Sequence, residues 1–240
     1  MLAASAQQAV EFTENKGQWN SSVLFRGAIN NWAFFLQQNG FTVLLHNEND
    51  LQQLAEQIHG HAGEAQTNHN VSKRNAYPRP GQGNQPDTAG GMVLRSHAYT
   101  MRFAGADANA TVLSEKPVNS YENYFTGNDP AQWAANCSIF QAVTYKNIYP
   151  NIDVRYYAQG GQLKYDIIVY PGANINDIVM QYEGADKLQI KNRELYIKTS
   201  VGDVKELSPY SYQINDAGKT ELDCRYVIEG KDKVTFKVKQ

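Results

Sequence analysis

Alternation of apolar and polar residues dominates the chain. Leu163, Tyr165, Ile167 and Val169 fall on one side of a segment, with Lys164, Asp166 and Tyr170 on the other. Val234, Phe236 and Val238 alternate with Lys233, Thr235, Lys237 and Lys239. Half-buried antiparallel strands have this period of two. Trp32–Leu36 and Phe41–Leu45 read as a hairpin whose turn is Gln37–Gly40. Further strands are predicted at 99–103, 139–145, 152–157, 162–170, 178–182, 188–190, 195–199, 221–228 and 234–238. Gly160-Gly161 and Asp216–Lys219 supply hairpin turns. One short helix is expected where Leu51, Leu54, Ala55 and Ile58 share a face, capped by Asn49 or Asp50. Asp129 and Pro130 mark the start of a helical turn. From about 60 to 91 the periodicity stops, and Gly, Pro, Asn, His and Gln predominate, which predicts a flexible insertion.

A short motif occurs twice. Met101-Arg102-Phe103-Ala104-Gly105-Ala106-Asp107 matches Met180-Gln181-Tyr182-Glu183-Gly184-Ala185-Asp186, and a hairpin pattern precedes each copy. The expected fold is therefore all-β and antiparallel, sandwich-like, built from two related β units. The first unit covers 10–120 and carries the insertion; the second covers 121–240 and packs with it as one domain. Residues 1–9 read as a disordered N-terminus or the tail of a signal peptide, because Ala4-Ser5-Ala6 has the small-x-small form of a leader cleavage site.

Composition narrows the function classes. The 22 Lys and Arg against 24 Asp and Glu give a formal charge of −2, which lacks the basic excess of a nucleic-acid binder. No run approaches the roughly 18 apolar residues of a spanning helix. The 15 tyrosines are unusual, and aromatics crowd between 121 and 170. Trp133, Tyr157 and Tyr170 are candidates for a sugar-stacking or partner-binding surface; filling of the β core is the plainer use of such rings. Asp153 and Asp166, on adjacent strands, are the carboxylate pair a glycosidase would need, although a cross-strand ion pair such as Arg155 with Asp166 also accounts for them.

Asp107 and Asp186 are candidate Ca²⁺ ligands at turns, where turn formation itself is the simpler role. No other cofactor is implied. His59, His61 and His69 cluster within or beside the insertion, where a solvated loop explains them better than a metal site. Cys137 and Cys224 form one disulfide or two buried thiols. Asp87-Thr88-Ala89 fits an Asp-Ser/Thr-small pattern, making Thr88 a candidate O-glycosylation site.

Four separated blocks carry a family resemblance. They are Phe12–Trp19 (FTENKGQW), Tyr124–Trp133 (YFTGNDPAQW), Val143–Asp153 (VTYKNIYPNID) and Leu163–Ala173 (LKYDIIVYPGA). Together they resemble the N-terminal domain of large secreted bacterial proteins, common in Bacteroidota. Those proteins continue into SBBP β-propeller-type repeats, PKD-like modules or a gliding-motility-associated C-terminal sorting domain. The resemblance spans roughly 11–240 outside the 60–91 insertion. Asn151 stands where Gly is usual after Tyr-Pro, and Cys137 where an apolar residue is usual.

The resemblance implies an exported module, crossing the periplasm to a secreted or cell-surface location by type IX secretion. Its partners would be other domains of the same polypeptide, and a surface glycan or protein. It supplies no activity and no catalytic residues. The expected function is non-catalytic, in adhesion, binding or assembly; the alternative is a carbohydrate-binding module or glycan-active enzyme using the Tyr-rich face.

Overall fold

The computed structural model describes residues 10–29, 32–60 and 93–239. It is all-β, antiparallel and sandwich-like, with one short helix. The chain begins with β1 (Phe12–Glu14), β2 (Val23–Ile29), β3 (Trp32–Gln37), β4 (Gly40–His46) and α1 (Glu48–Gly60). Next come β5 (Ser96–Phe103), β6 (Thr111–Tyr124), β7 (Ala134–Tyr149), β8 (Ile152–Gln159) and β9 (Gln162–Val169). The last part holds β10 (Met180–Glu183), β11 (Lys187–Lys191), β12 (Glu194–Thr199), β13 (Gly202–Glu206), β14 (Ser211–Asn215), β15 (Gly218–Glu229) and β16 (Lys233–Lys239).

Thirteen strands form one sheet in the order β14-β15-β16-β10-β5-β4-β3-β2-β1-β7-β8-β9, with β6 also on β7; β11-β12-β13 form a second sheet. The large sheet curls back on itself because its apolar faces need cover. Phe41 of β4 meets Tyr156 of β8 edge-on at 6.1 Å between centroids. Phe103 of β5 meets Tyr149 of β7 at 6.3 Å. The Tyr165 hydroxyl on β9 lies 3.6 Å from the Met180 sulfur on β10. The second sheet adds Leu188, Leu195 and Ile197 to the same core.

The two motif copies pair with each other. Met180 opposes Phe103, Gln181 opposes Arg102, and Tyr182 opposes Met101. Each copy's Met therefore faces the other copy's aromatic, as a local two-fold axis through Arg102 and Gln181 requires. The two copies share a strand followed by a glycine turn, while their surroundings differ. The β3–β4 hairpin pairs directly with β5, whereas β8–β9 lies at the far end of the sheet and β10 takes β16 as its second partner. The expected border at 120/121 also falls inside β6, so the chain is not divided there.

Local differences have local causes. The helix begins at Glu48 and is capped by Asn47, whose side chain accepts from the Asp50 amide at 3.1 Å. Asp50, expected as a cap, instead grips Arg95 through Nε at 2.9 Å and Nη2 at 2.7 Å, which holds the start of the helix against the start of β5. That guanidinium holds the Asp50 carboxyl down to about 2. Strand β6 was not evident from sequence because Pro117 and a left-handed Lys116 (φ 54°) break its alternation. Irregularity of this kind suits an edge strand, since it discourages pairing with another chain. Residues 1–9 and 61–92 lie outside the described residues, and with them the expected leader tail, His61, His69 and Thr88.

The motif's glycines separate space from conformation. Gly105 (φ +73°) faces open space, while a Cβ on Gly184 (φ +84°) would lie 2.9 Å from the Ala98 carbonyl oxygen. Gly105→Ala is expected to cost about 1 kcal/mol from backbone strain alone. Gly184→Ala should cost at least about 1 kcal/mol more from the added clash. Urea unfolding of both variants checks this, and equal losses would contradict the asymmetry.

Candidate functional site

The four sequence blocks meet in pairs at the two ends of β7. At one end, Asp153 is 1% exposed. Its carboxylate accepts from the Asn147 amide at 2.8 Å, from the Tyr170 hydroxyl at 2.9 Å, and from Lys146 Nζ. Asn147 (φ 51°) and Asn151 (φ 59°) take left-handed backbone, which Asn tolerates and which builds the β7 irregularity and the turn into β8. Burial by itself raises the Asp153 carboxyl, but Lys146, the Asn147 amide and Tyr170 outweigh it and the net shift is downward. Both oxygens are thus engaged in holding the turn together.

Asp166 does not join it. Its hydroxyl partner is Tyr157, at 3.2 Å. Arg155 is the direct cross-strand neighbour of Asp166, yet its guanidinium turns the other way and pairs with Glu115 of β6 at 3.2 Å. The expected Arg155–Asp166 pair is therefore corrected to Arg155–Glu115. Sequence could not supply this partner while β6 was unassigned. The two aspartates share a sheet face but hold different tyrosines, Asp153 taking Tyr170 and Asp166 taking Tyr157.

The aromatic trio is also separated. Trp133 precedes β7 and Tyr157 pairs with Ala142, so the two stand roughly 30 Å apart along the strand at about 3.3 Å per residue. Tyr170 belongs to the Asp153 cluster, with Lys146 Nζ 5.5 Å from its ring centroid. The three do not line one groove. Trp133 instead pairs with Phe125 at 5.8 Å between centroids.

That second end of β7 is where the first two blocks meet. Trp19 stacks edge-on against Tyr124 at 5.0 Å, and the Arg26 guanidinium lies 5.9 Å from the Trp19 ring. Lys16 Nζ donates to the Asn136 carbonyl at 2.8 Å, and the Ser138 amide donates to Glu14 at 2.7 Å. Asp129 caps the 3-10 turn Pro130–Gln132 through the Ala131 amide at 3.0 Å, as its sequence predicts. Beyond this network Tyr121, Phe125 and Trp133 remain 61%, 60% and 43% exposed. The corner thus combines a fixed base with an open aromatic surface.

The cysteines are both free and buried, which corrects the disulfide alternative to that of two thiols. Cys137, on β7, lies 3.3 Å from Gln18 Nε2, whereas Cys224 sits on β15 opposite Val238. Disulfide bonding needs Cα atoms about 4.4–6.8 Å apart; these two occupy separate neighbourhoods. Burial raises both thiols. Asp107, a candidate Ca²⁺ ligand, accepts from the Asn109 amide at 2.8 Å as a turn former does. The Asp186 amide donates to the Lys198 carbonyl at 2.9 Å, which ties that turn to β12. Among the described residues, no group of three or more His, Cys, Asp and Glu side chains is placed to hold a metal.

One polar centre was missed by sequence reasoning. Glu206, at the end of β13, receives the Tyr165 hydroxyl at 2.7 Å and the Tyr182 hydroxyl at 2.9 Å. Tyr226 stands beside them and donates to the adjoining Leu207 carbonyl at 3.2 Å. The residue keeps some solvent contact, yet its carboxyl end is enclosed by rings from β9, β10 and β15. Burial raises its pKa above the ordinary 4.5, and the tyrosine hydrogen bonds oppose that only in part. The alternation of β9 placed Tyr165 inward, but nothing in Gly202–Glu206 marked a strand, so the acid had no predicted position.

These features define an all-β, sandwich-like domain with buried acidic anchors and an exposed aromatic corner. The chain belongs to the family described as a Domain of unknown function (DUF7948), whose family model matches residues 12–240. No curated protein and no solved structure matches it.

The two acids should respond oppositely to pH. Asp153 has a lowered pKa, so its contribution is present above the ordinary 3.8 and lost as pH falls through the folded value. Asp153→Asn should cost on the order of 1.5–3 kcal/mol at pH 7, by weakening the hydrogen bonds that Lys146, the Asn147 amide and Tyr170 make to a charged acceptor. That difference should shrink below pH 3.8. Glu206 has a raised pKa, so its contribution is full below 4.5 and lost as pH rises through the folded value. Relative to Glu206→Gln, the wild type should lose stability on going up from pH 4.5, by at most about 1.4 kcal/mol per pH unit. Urea titrations across pH test both; a pH-independent difference for Glu206→Gln would refute the second.

Proposed function

We propose that this domain is a non-catalytic binding or assembly module of a secreted or cell-surface multidomain protein. The observation that carries this reading is the corner at the start of β7. There the Phe12–Trp19 and Tyr124–Trp133 blocks build a hydrogen-bonded base and leave Phe125 and Trp133 open to solvent, with Tyr121 exposed on the adjoining β6. Large aromatic rings on a rigid support are the residues that anchor protein and glycan partners. The contacts of the two candidate acids support a structural role, since Asp153 holds a turn and Asp166 receives Tyr157. Export through the periplasm, and partnership with other domains of the same polypeptide, rest on the resemblance of the four blocks to secreted Bacteroidota proteins.

A glycan partner is the second reading. The exposed Phe125–Trp133 pair is flanked along the chain by exposed Asn128, Asp129 and Gln132, a mixture suited to stacking on and hydrogen-bonding a sugar. It moves the sugar surface away from Tyr157 and Tyr170.

The test uses the full-length protein in its native host, with Tyr121, Phe125 and Trp133 all changed to Ser. The variant should keep the wild-type circular dichroism spectrum and still be exported. Its cell-associated fraction should fall roughly tenfold in favour of the medium, as loss of anchor residues predicts. An unchanged distribution, or a wild-type protein confined to the cytosol, would refute the proposal. A glycan array probed with both proteins then separates sugar from protein partners.

A further inference from the structure

Three tyrosines stand side by side on the inner face of β7, β8 and β9. Tyr156 and Tyr165 are direct cross-strand partners with ring centroids 6.1 Å apart. Tyr145 lies diagonally from Tyr156, at 5.6 Å and nearly perpendicular. The row ends at Glu206, to which Tyr165 donates at 2.7 Å. Phe41 closes over Tyr156 from the opposite layer.

The hydroxyls of this region divide into two groups. Tyr149 donates to the Ala104 carbonyl at 2.7 Å, Tyr182 to Glu206 at 2.9 Å, and Tyr226 to the Leu207 carbonyl at 3.2 Å. The Tyr145 and Tyr156 hydroxyls belong to side chains only 1% exposed, and neither has a hydrogen-bond partner among the described residues. Buried polar atoms in folded proteins are nearly always paired, with protein or with ordered water. A phenylalanine would fill either position without an unmet hydroxyl. Two such hydroxyls on neighbouring rings, in a row that leads through Tyr165 to Glu206, mark a polar spot in an apolar core. Burial pushes both phenols far up, so each stays a neutral group that can donate and accept. The Tyr156 hydroxyl also lies within electrostatic reach of both Tyr145 and Glu206.

We propose that the Tyr145 and Tyr156 hydroxyls, together with the Glu206 carboxylate, form an internal water site in the sandwich core. Water is the ligand that fits: internal waters make about three hydrogen bonds, and two hydroxyls plus a carboxylate oxygen supply that number. A metal cation fits poorly, because among the described residues Glu206 is the one carboxyl at the centre and burial keeps the phenols protonated. The water joins β7 and β8 to the small sheet through Glu206. It extends the Tyr165 and Tyr182 contacts into one hydrogen-bonded chain across both layers.

Two measurements test this on the whole chain. A crystal structure at about 1.8 Å or better should show ordered solvent within about 3.2 Å of both hydroxyls. Density showing both hydroxyls bonded directly to protein atoms, or no solvent peak beside them, would overturn the proposal. Tyr145→Phe and Tyr156→Phe keep the ring and remove only the hydroxyl, so both variants should fold. If water satisfies the hydroxyls, each change removes a hydrogen bond, and the melting temperature should fall by about 2–4 °C. An unchanged or higher melting temperature in both variants is the signature of hydroxyls buried without a partner, and contradicts the site.

Discussion

The antiparallel ladder between β5 and β10 is the constraint on which the rest of the structure depends. In the large sheet it is the join between β14-β15-β16 on one side and the strands from β4 to β9 on the other. Met101, Phe103 and Met180 on this ladder are fully buried, and Tyr182 nearly so. Burying a side chain of that size contributes about 1.5–3 kcal/mol. Tyr182 also carries one of the hydroxyls that hold Glu206, so the same ladder sets the position of the buried acid. A one-residue slip of either strand would turn that strand's two core side chains to the opposite face.

The ladder's near-symmetry brings together segments far apart in sequence, and polar anchors then fix what the apolar faces leave free. Asp153 clamps the end of β7 to the start of β8. Asp50 and Arg95 close the base of the segment between α1 and β5. Glu206 ties the small sheet to the curled one. Each anchor spans elements that hydrophobic packing would only press together, and each gives direction to a contact that would otherwise slide. The aromatic corner is built likewise, with Lys16, Glu14 and Asn136 forming a base beneath rings that face solvent. That division between a rigid support and an open apolar tip is what favours a binding role.

Much of the fold was legible in the sequence, and the gaps have physical reasons. The β3–β4 hairpin, β9 and β16 alternate cleanly because one face is buried and the other wet. The Asp129 cap followed from a local hydrogen bond that Asp-Pro favours. Strand β6 was hidden by Pro117 and its irregular register. Strands β13 and β14 are short and largely exposed, so their residues carry no burial pattern. The candidate site was less legible. Trp133 was one of three candidate surface rings, but its partner Phe125 comes from tertiary packing across the hairpin. Arg155 found Glu115 rather than Asp166 because a third strand, unseen in the sequence, offered the better-placed carboxylate. Glu206 left no mark, since a lone acid in a short strand reads like any surface residue. The repeated motif pointed to duplication without showing that its two copies would face each other.

The most direct test of the account is the register of the β5–β10 ladder in solution. Cross-strand nuclear Overhauser contacts measured on the isotopically labelled chain should place Arg102 opposite Gln181, with Met101 facing Tyr182 and Phe103 facing Met180. Contacts offset by one or more residues, or none between the two copies, would contradict the account.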